Sequence, residues 1–285
     1  LPSRTQETKN GTDAGSAEEP GESTLALSSA PILTKSSRST EDVIRGSTNI
    51  PLSLDGRAQA KERGIQFARK GGIDLIYSSS LGRAVETAQF VHKANSKARF
   101  AETTRSLHPW HMGGYEGKPT MKVLPMMNDL ILNHPDKMPP PAPGDSNSTN
   151  KTGETYHQFE RRVMDFVGPG LKRYLMDPEQ KILWVTHYRD LKLLQGWESA
   201  GFPQDLHIDR AEVIRKDGEP GQVSRLWATD IHETPEGMWG TWHLAKVNME
   251  SLDKLKGGIY IMRHGFTAWN AENPGGTQTE SMRIN

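Results

Sequence analysis

The sequence predicts an α/β fold in three layers, α/β/α, around a mostly parallel central sheet. Three observations predict it: short apolar runs bounded by Gly or Ser, stretches of helical period between them, and polar groups directly after three of the runs. Alternating strand and helix segments favour a doubly wound sheet. In such a sheet ligands bind outside the carboxyl ends of the strands. Arg263-His264, the turn carrying Arg83, and Thr186-His187 therefore stand where a site would be built.

Residues 1–40 are rich in Ser, Thr, Gly, Glu and Lys. They can bury too little surface to offset the entropy of ordering, so they read as a flexible tail. Residues 41–270 read as one domain and 271–285 as a second tail. The first helix is capped by Ser53 and stops at Gly71-Gly72, with Ala58, Ile65 and Phe67 among its inward positions. Residues 73–77 read as a short buried strand, Ser78-Ser79-Ser80 as the turn that caps a helix over 81–95, and 98–102 as a third strand. An irregular stretch, LHPWHMGGYEGKPT, follows. A helix over 121–133 then gives way to a Pro-rich loop at 135–153, long enough inside a domain to suggest a functional or mobile segment. The Asn-x-Thr/Ser matches at Asn147 and Asn150 read as chance.

Residues 154–176 read as a helix with Phe159, Val163, Phe166 and Leu171 on one face, and Gly168-Pro169-Gly170 is expected to kink or interrupt it. Residues 182–185 form a clear strand ending in Thr186-His187, and a helix over 189–199 follows. One or two strands at a sheet edge are expected within 222–246, then a connector at 247–257. The run Ile259-Tyr260-Ile261-Met262 reads as a buried parallel strand that delivers Arg263 and His264.

Composition narrows the chemistry. Of 285 residues 34% are apolar, and mean hydropathy is -0.68, so part of the length is expected outside the core. Lys+Arg and Asp+Glu balance at 35 each, which removes the bulk electrostatic argument for nucleic acid or an anionic membrane as partner. The absence of cysteine excludes disulfides, thiolate zinc sites and cysteine nucleophiles. No apolar run approaches the roughly 20 residues that span a bilayer, and no signal-peptide pattern is visible. A soluble, cytoplasmic protein is the default expectation. A start at Leu1 fits a processed product or a piece of something longer. Oligomeric state is left open.

Each polar motif alone has an ordinary reading, as a surface arginine or a structural histidine. Their convergence at three strand ends suits phosphate: arginine forks bind oxygens in pairs, and helix N-termini offer free N–H groups. Longer strings sharpen this. RHGFTAWN from Arg263, STNIPLSLDGRAQA from Ser47, SSLGRAVETA from Ser79, GET from Gly153 and VTHYRD from Val185 resemble the motifs of the histidine phosphatase superfamily, the phosphoglycerate-mutase-like proteins. The resemblance implies that His264 is the nucleophile that becomes phosphorylated, and that Arg263, Arg83 and His187 hold phosphoryl oxygens. Thr267 and Asn270 would support the pocket, and Arg45 stands where the family often has a phosphate-side arginine. A neutral imidazole is a competent nucleophile near neutral pH. The implied substrate is a phosphorylated small molecule or phosphopeptide, with no metal and no cofactor.

Two features depart from the family pattern. Its L-x-E-x-x-x-G motif carries a glutamate general acid, and LHPWHMG places Pro109 there. Proline cannot donate a proton, so His111 is the first candidate for the acid, with Glu116 and His108 close by. A substrate with a good leaving group, such as a phosphohistidine, would need no strong acid. The other departure is order. The strand that opens the family domain here lies near the C-terminus, so a circular permutation is expected, with residues 258–270 returning to the centre of the sheet. Trp110 and Tyr115 are expected as pocket walls. A phosphate-binding module without turnover is the alternative to an enzyme.

Overall fold

The computed structural model describes residues 43–142, 153–216 and 218–267. All of them lie within the unit Ser39–Asn285. The expected tails at 1–40 and 271–285 and most of the Pro-rich loop fall outside the described residues.

Helix α1 (Leu54–Arg69) is capped by Ser53, whose hydroxyl accepts from Gly56 N–H. Strand β1 (Leu75–Ser79), α2 (Gly82–Ala94), β2 (Arg99–Thr104), α3 (Thr120–Leu132), α4 (Tyr156–Met176), β3 (Lys181–Thr186) and α5 (Tyr188–Ser199) follow. A short α6 (Arg210–Arg215), an antiparallel pair β4 (Val223–Thr234) and β5 (Gly237–Lys246), and finally β6 (Gly258–Arg263) complete the order. One six-stranded sheet runs β2-β1-β3-β6-β4-β5. Its first four strands are parallel to one another, while β4 pairs antiparallel with both β6 and β5. The C-terminal strand β6 thus lies centrally, in register with β3 from Lys181↔Gly258 to Thr186↔Arg263.

Side chains alternate between the two sheet faces, as the pleat requires. Leu75, Ile182, Trp184, Ile259 and Ile261 pack with residues of α3, α4, α5 and α6. Ile76, Leu183, Val185, Tyr260 and Met262 pack with Phe67 of α1 and with Ala84, Ala88 and Val91 of α2. These two cores make the layers α/β/α, as expected, and both faces of β6 are buried.

Four details differ from the sequence reading. Ala58 is exposed, because the buried face of α1 is Gly56, Ala60, Gly64 and Phe67, and glycines carry no apolar signal. Strand β1 is displaced two residues toward the C-terminus, so Ser78 and Ser79 are buried strand residues and not a turn. Helix α4 is unbroken through Gly168-Pro169-Gly170. Pro169 and Asp165, whose carbonyl the ring leaves without an N–H partner, are both exposed, so water can satisfy that oxygen. Gly170 meanwhile lets α4 approach the sheet, since a Cβ there would lie 2.4 Å from the Trp184 indole. The six-residue α6, capped by Asp209, has no counterpart in the sequence reading.

Candidate active site

Three parallel strands end side by side, and each contributes. From β6 come Arg263 and His264; β3 leads into His187, the N-cap of α5; β1 ends at Ser79, and Arg83 stands in the first turn of α2. Because α2 and α5 both begin at these strand ends, the positive poles of both helix dipoles lie on this side of the sheet.

The His264 ring is oriented by its own turn. Its Nδ1 is 2.7 Å from the Gly265 carbonyl oxygen, which can only accept, so Nδ1 carries the proton. Nε2 then bears the lone pair, and it accepts from Arg83 Nε at 3.2 Å. The turn is tight: a Cβ on Gly265 would lie 2.6 Å from the Gly56 carbonyl oxygen. The two imidazoles meet edge to face with centroids 5.0 Å apart. His187 Nε2 is 2.7 Å from Ser79 Oγ, and its buried Nδ1 has no hydrogen-bond partner among the described residues.

Arg83 is 1% exposed and ties the site together. Its two terminal nitrogens donate to the carbonyls of Thr48 (2.7 Å) and Gly46 (3.0 Å), drawing in the loop that carries Arg45. Glu116 holds the same loop from outside, accepting from Ser47 N–H and Oγ (both 2.8 Å) and from Thr48 Oγ1 (2.6 Å). Burial lowers the Arg83 guanidinium to about 10, with Arg45 pushing the same way, yet it stays charged at neutral pH. The His264 pKa is driven well below the ordinary value, first by burial and then by Arg83 and Arg263. His187 moves the same way by burial, Arg83 and His264. Both rings are therefore neutral near pH 7.

These groups line one cavity of about 60 Å³, several times the ~10–15 Å³ that a single water needs. Its lining combines the polar side chains of Arg45, Arg83, Arg189, Arg263, His187 and His264 with the apolar Ile44, Pro109, Trp110, Met112 and Met127, and Gly46 and Tyr188 complete it. Pro109 thus stands on the cavity wall. His111 does not line it; it lines a neighbouring cavity with Ser47, Arg105, His108, Glu154 and Arg162, its imidazole 3.7 Å from Glu116. His108 bonds Ser80 Oγ at 2.7 Å and is lowered to about 4 by burial and by Arg162 and Arg105. Thr267 is buried in a bridge with Leu52 and does not line the cavity. Asn270 lies outside the described residues. Trp110 is a wall, whereas Tyr115 is not part of the lining. Among the described residues no three His, Asp or Glu side chains are grouped as a metal site, and no helix is long and apolar enough to cross a membrane.

Residues 34–229 match the family model of the histidine phosphatase superfamily, branch 1. The chain belongs to this superfamily. Similarity to solved structures is at the level of the fold. A mycobacterial glucosyl-3-phosphoglycerate phosphatase in complex with inorganic phosphate is 16% identical, aligned over 72% of this chain and 90% of that one, with a TM-score of 0.50. A phosphoglycerate mutase from Bacillus anthracis is 17% identical over 74% and 88%, TM-score 0.49, and an alpha-ribazole phosphatase from Shigella flexneri 20% identical over 70% and 86%, TM-score 0.43. No curated protein matches the sequence. The superfamily match ends before β6, so the strand that supplies Arg263 and His264 lies outside it.

Sequence reasoning did not single out Ser79 and Arg189 of this superfamily member. Ser79 read as a turn residue and Arg189 as an ordinary start of a helix. Only their burial, which no local pattern encodes, marks them.

Proposed function

We propose that this chain is a metal-independent phosphatase that transfers a phosphoryl group to His264 and then to water. The observation that carries the reading is the His264 ring, fixed by Gly265 with its Nε2 lone pair turned toward Arg83 among buried cations. That lone pair forms a bond to phosphorus as the P–O bond to the leaving group breaks, and the electron pair departs with that oxygen. Arg83 would turn from the imidazole to a phosphoryl oxygen, and Arg263, Arg45 and the His187 Nδ1–H would take the others, where charge accumulates in transfer. Water then cleaves the N–P bond, gives its oxygen to phosphorus and returns a proton to solvent.

Pro109 supplies no proton, so the leaving group must depart well unaided or be protonated from solvent. A phosphohistidine meets this condition: its ring takes a proton from solvent, the bond that breaks is then P–N, and the electron pair departs with the ring nitrogen as neutral imidazole. The same residue favours a second reading, a phosphate-binding module without turnover. Incubation with phosphomonoesters and a phosphohistidine peptide, followed by detection of acid-labile phosphate on His264, separates the two. Label on His264 and loss of at least about 10³-fold in kcat/KM for His264→Ala are expected for the enzyme; tight phosphate binding with no label would leave the module.

The order of segments is read as a circular permutation of the family domain. Two facts support it: β6 lies centrally and parallel to β3, and the family match stops short of it.

A further inference from the structure

Tyr188 directly follows His187, opens α5 and lines the cavity described above. It is buried, yet it belongs to neither of the two apolar cores formed by the described residues. Cations gather around it instead. The guanidinium carbon of Arg263 lies 5.1 Å from the ring centroid, Lys192 Nζ 5.0 Å and the guanidinium carbon of Arg189 5.8 Å. All three fall within the ~6 Å over which the negative face of an aromatic ring attracts a cation. Arg263 and Lys192 are buried as well, and desolvation strengthens that attraction.

The ring is itself fixed. Lys192, one helical turn further along α5, donates from Nζ to the Tyr188 hydroxyl at 3.2 Å and to the Ile214 carbonyl oxygen at 3.0 Å. Gly218 packs against the ring, since a Cβ on it would lie 3.3 Å from Tyr188 Cδ2, and its carbonyl oxygen accepts from a terminal nitrogen of Arg263. Arg263 is thus gripped at two points that also touch each other, the ring and the Gly218 carbonyl. Like charges this close repel one another. The electron-rich ring that Arg263, Lys192 and Arg189 share offsets part of that repulsion, so it keeps the Arg263 guanidinium in the cavity lining.

We infer that Tyr188 is a positioning residue for phosphate binding: its ring, locked by Lys192, holds the Arg263 guanidinium ready for the phosphoryl oxygens. The inference rests on the phosphoryl-transfer reading and adds to it a residue that acts through Arg263. Its test is Tyr188→Phe, made with zero, one, two or three fluorines on the introduced ring. Fluorine withdraws electron density from the ring face and nearly preserves ring shape, so the series varies the attraction for a cation while packing stays almost constant. Calorimetric titration with orthophosphate reads the result without relying on turnover. Unfluorinated Tyr188→Phe should bind within about threefold of the wild-type chain, and affinity should then fall stepwise by about fivefold or more across the series. Tyr188→Leu, which removes the ring, should lose about tenfold or more. A flat or rising series in chains whose thermal midpoints show them folded overturns the positioning role and leaves Tyr188 as packing. A collapse already at unfluorinated Tyr188→Phe places the effect in the hydroxyl and overturns it too. Should Tyr188→Leu not fold, the fluorinated series still decides the matter. Failure of every chain, the wild type included, to bind orthophosphate overturns the phosphate-pocket reading, and this inference with it.

Discussion

At the scale of single residues, burial decides what the titratable groups do, and two pH predictions follow from it. His264 and His187 have pKa values well below the ordinary 6.5. The proposed nucleophile, His264, stays neutral on acidification, so the acid limb of kcat/KM should lie well below pH 6.5; a limb at or above that value would exclude the neutral-imidazole account. In stability the signs oppose. As pH falls through 6.5 the unfolded chain takes up protons that the two buried rings refuse, so stability falls. Asp190 is raised by burial from 3.8 to about 8. Between those values only the unfolded state ionises, and each unit of rising pH removes at most about 1.4 kcal/mol. Stability should therefore peak near pH 6.5. Asp190→Asn, whose amide oxygen can still accept from Thr186, should flatten the decline toward pH 8 in urea titrations, and an unchanged slope would remove Asp190 from the account. His264, Arg263, His187 and Arg83 were legible in the sequence because each sits beside a recognisable strand end or motif. Arg189 was not, since an arginine opening a helix after Tyr188 looks like any solvated residue until its neighbours are known.

At the scale of elements, strand and helix existence was legible from period, while the contacts that aim the site were not. The clearest case is α1, read from its apolar residues yet packed through its glycines. A Cβ on Gly56 would lie 1.9 Å from the Phe266 carbonyl oxygen, a backbone atom two residues beyond His264. That backbone also accepts from Ser53 N–H at 3.0 Å. Gly56→Ala should push the turn away from α1, cost about 1–3 kcal/mol by overpacking, and lower kcat/KM together with the thermal midpoint. The control is Ala58→Gly on the exposed face, which should cost about 0.5–1 kcal/mol through helix propensity alone and leave activity unchanged. If Gly56→Ala were as active as Ala58→Gly, the turn would not be set by this contact.

At the scale of the whole molecule, the parallel core and a central place for β6 were legible, but the number of strands within 222–246 and the full strand order were not, because strand order is set by packing between segments distant in sequence. Its slot explains how a C-terminal strand can hold the proposed nucleophile. With both faces buried and β3 and β4 on either side, β6 is among the last pieces the sheet could lose. If the order of segments is a circular permutation, the fold should tolerate its reversal. A chain that opens with residues 256–285 and continues with 39–255 keeps every described element and uses 268–285 as the connection into the loop of Arg45. Loop closure grows only slowly with length, so this join should cost little beyond about 1–2 kcal/mol. The rearranged chain should unfold cooperatively and bind orthophosphate within about threefold of the original. If the chain were instead an offset slice through tandem copies, with residues 258–270 completing the sheet of another copy, activity per chain should fall on dilution as the exchanged strand dissociates. Concentration-independent activity in the original together with binding in the rearranged chain supports permutation; a rearranged chain that folds yet binds no phosphate would show that the C-terminal position of β6 is required and would rule the permutation out.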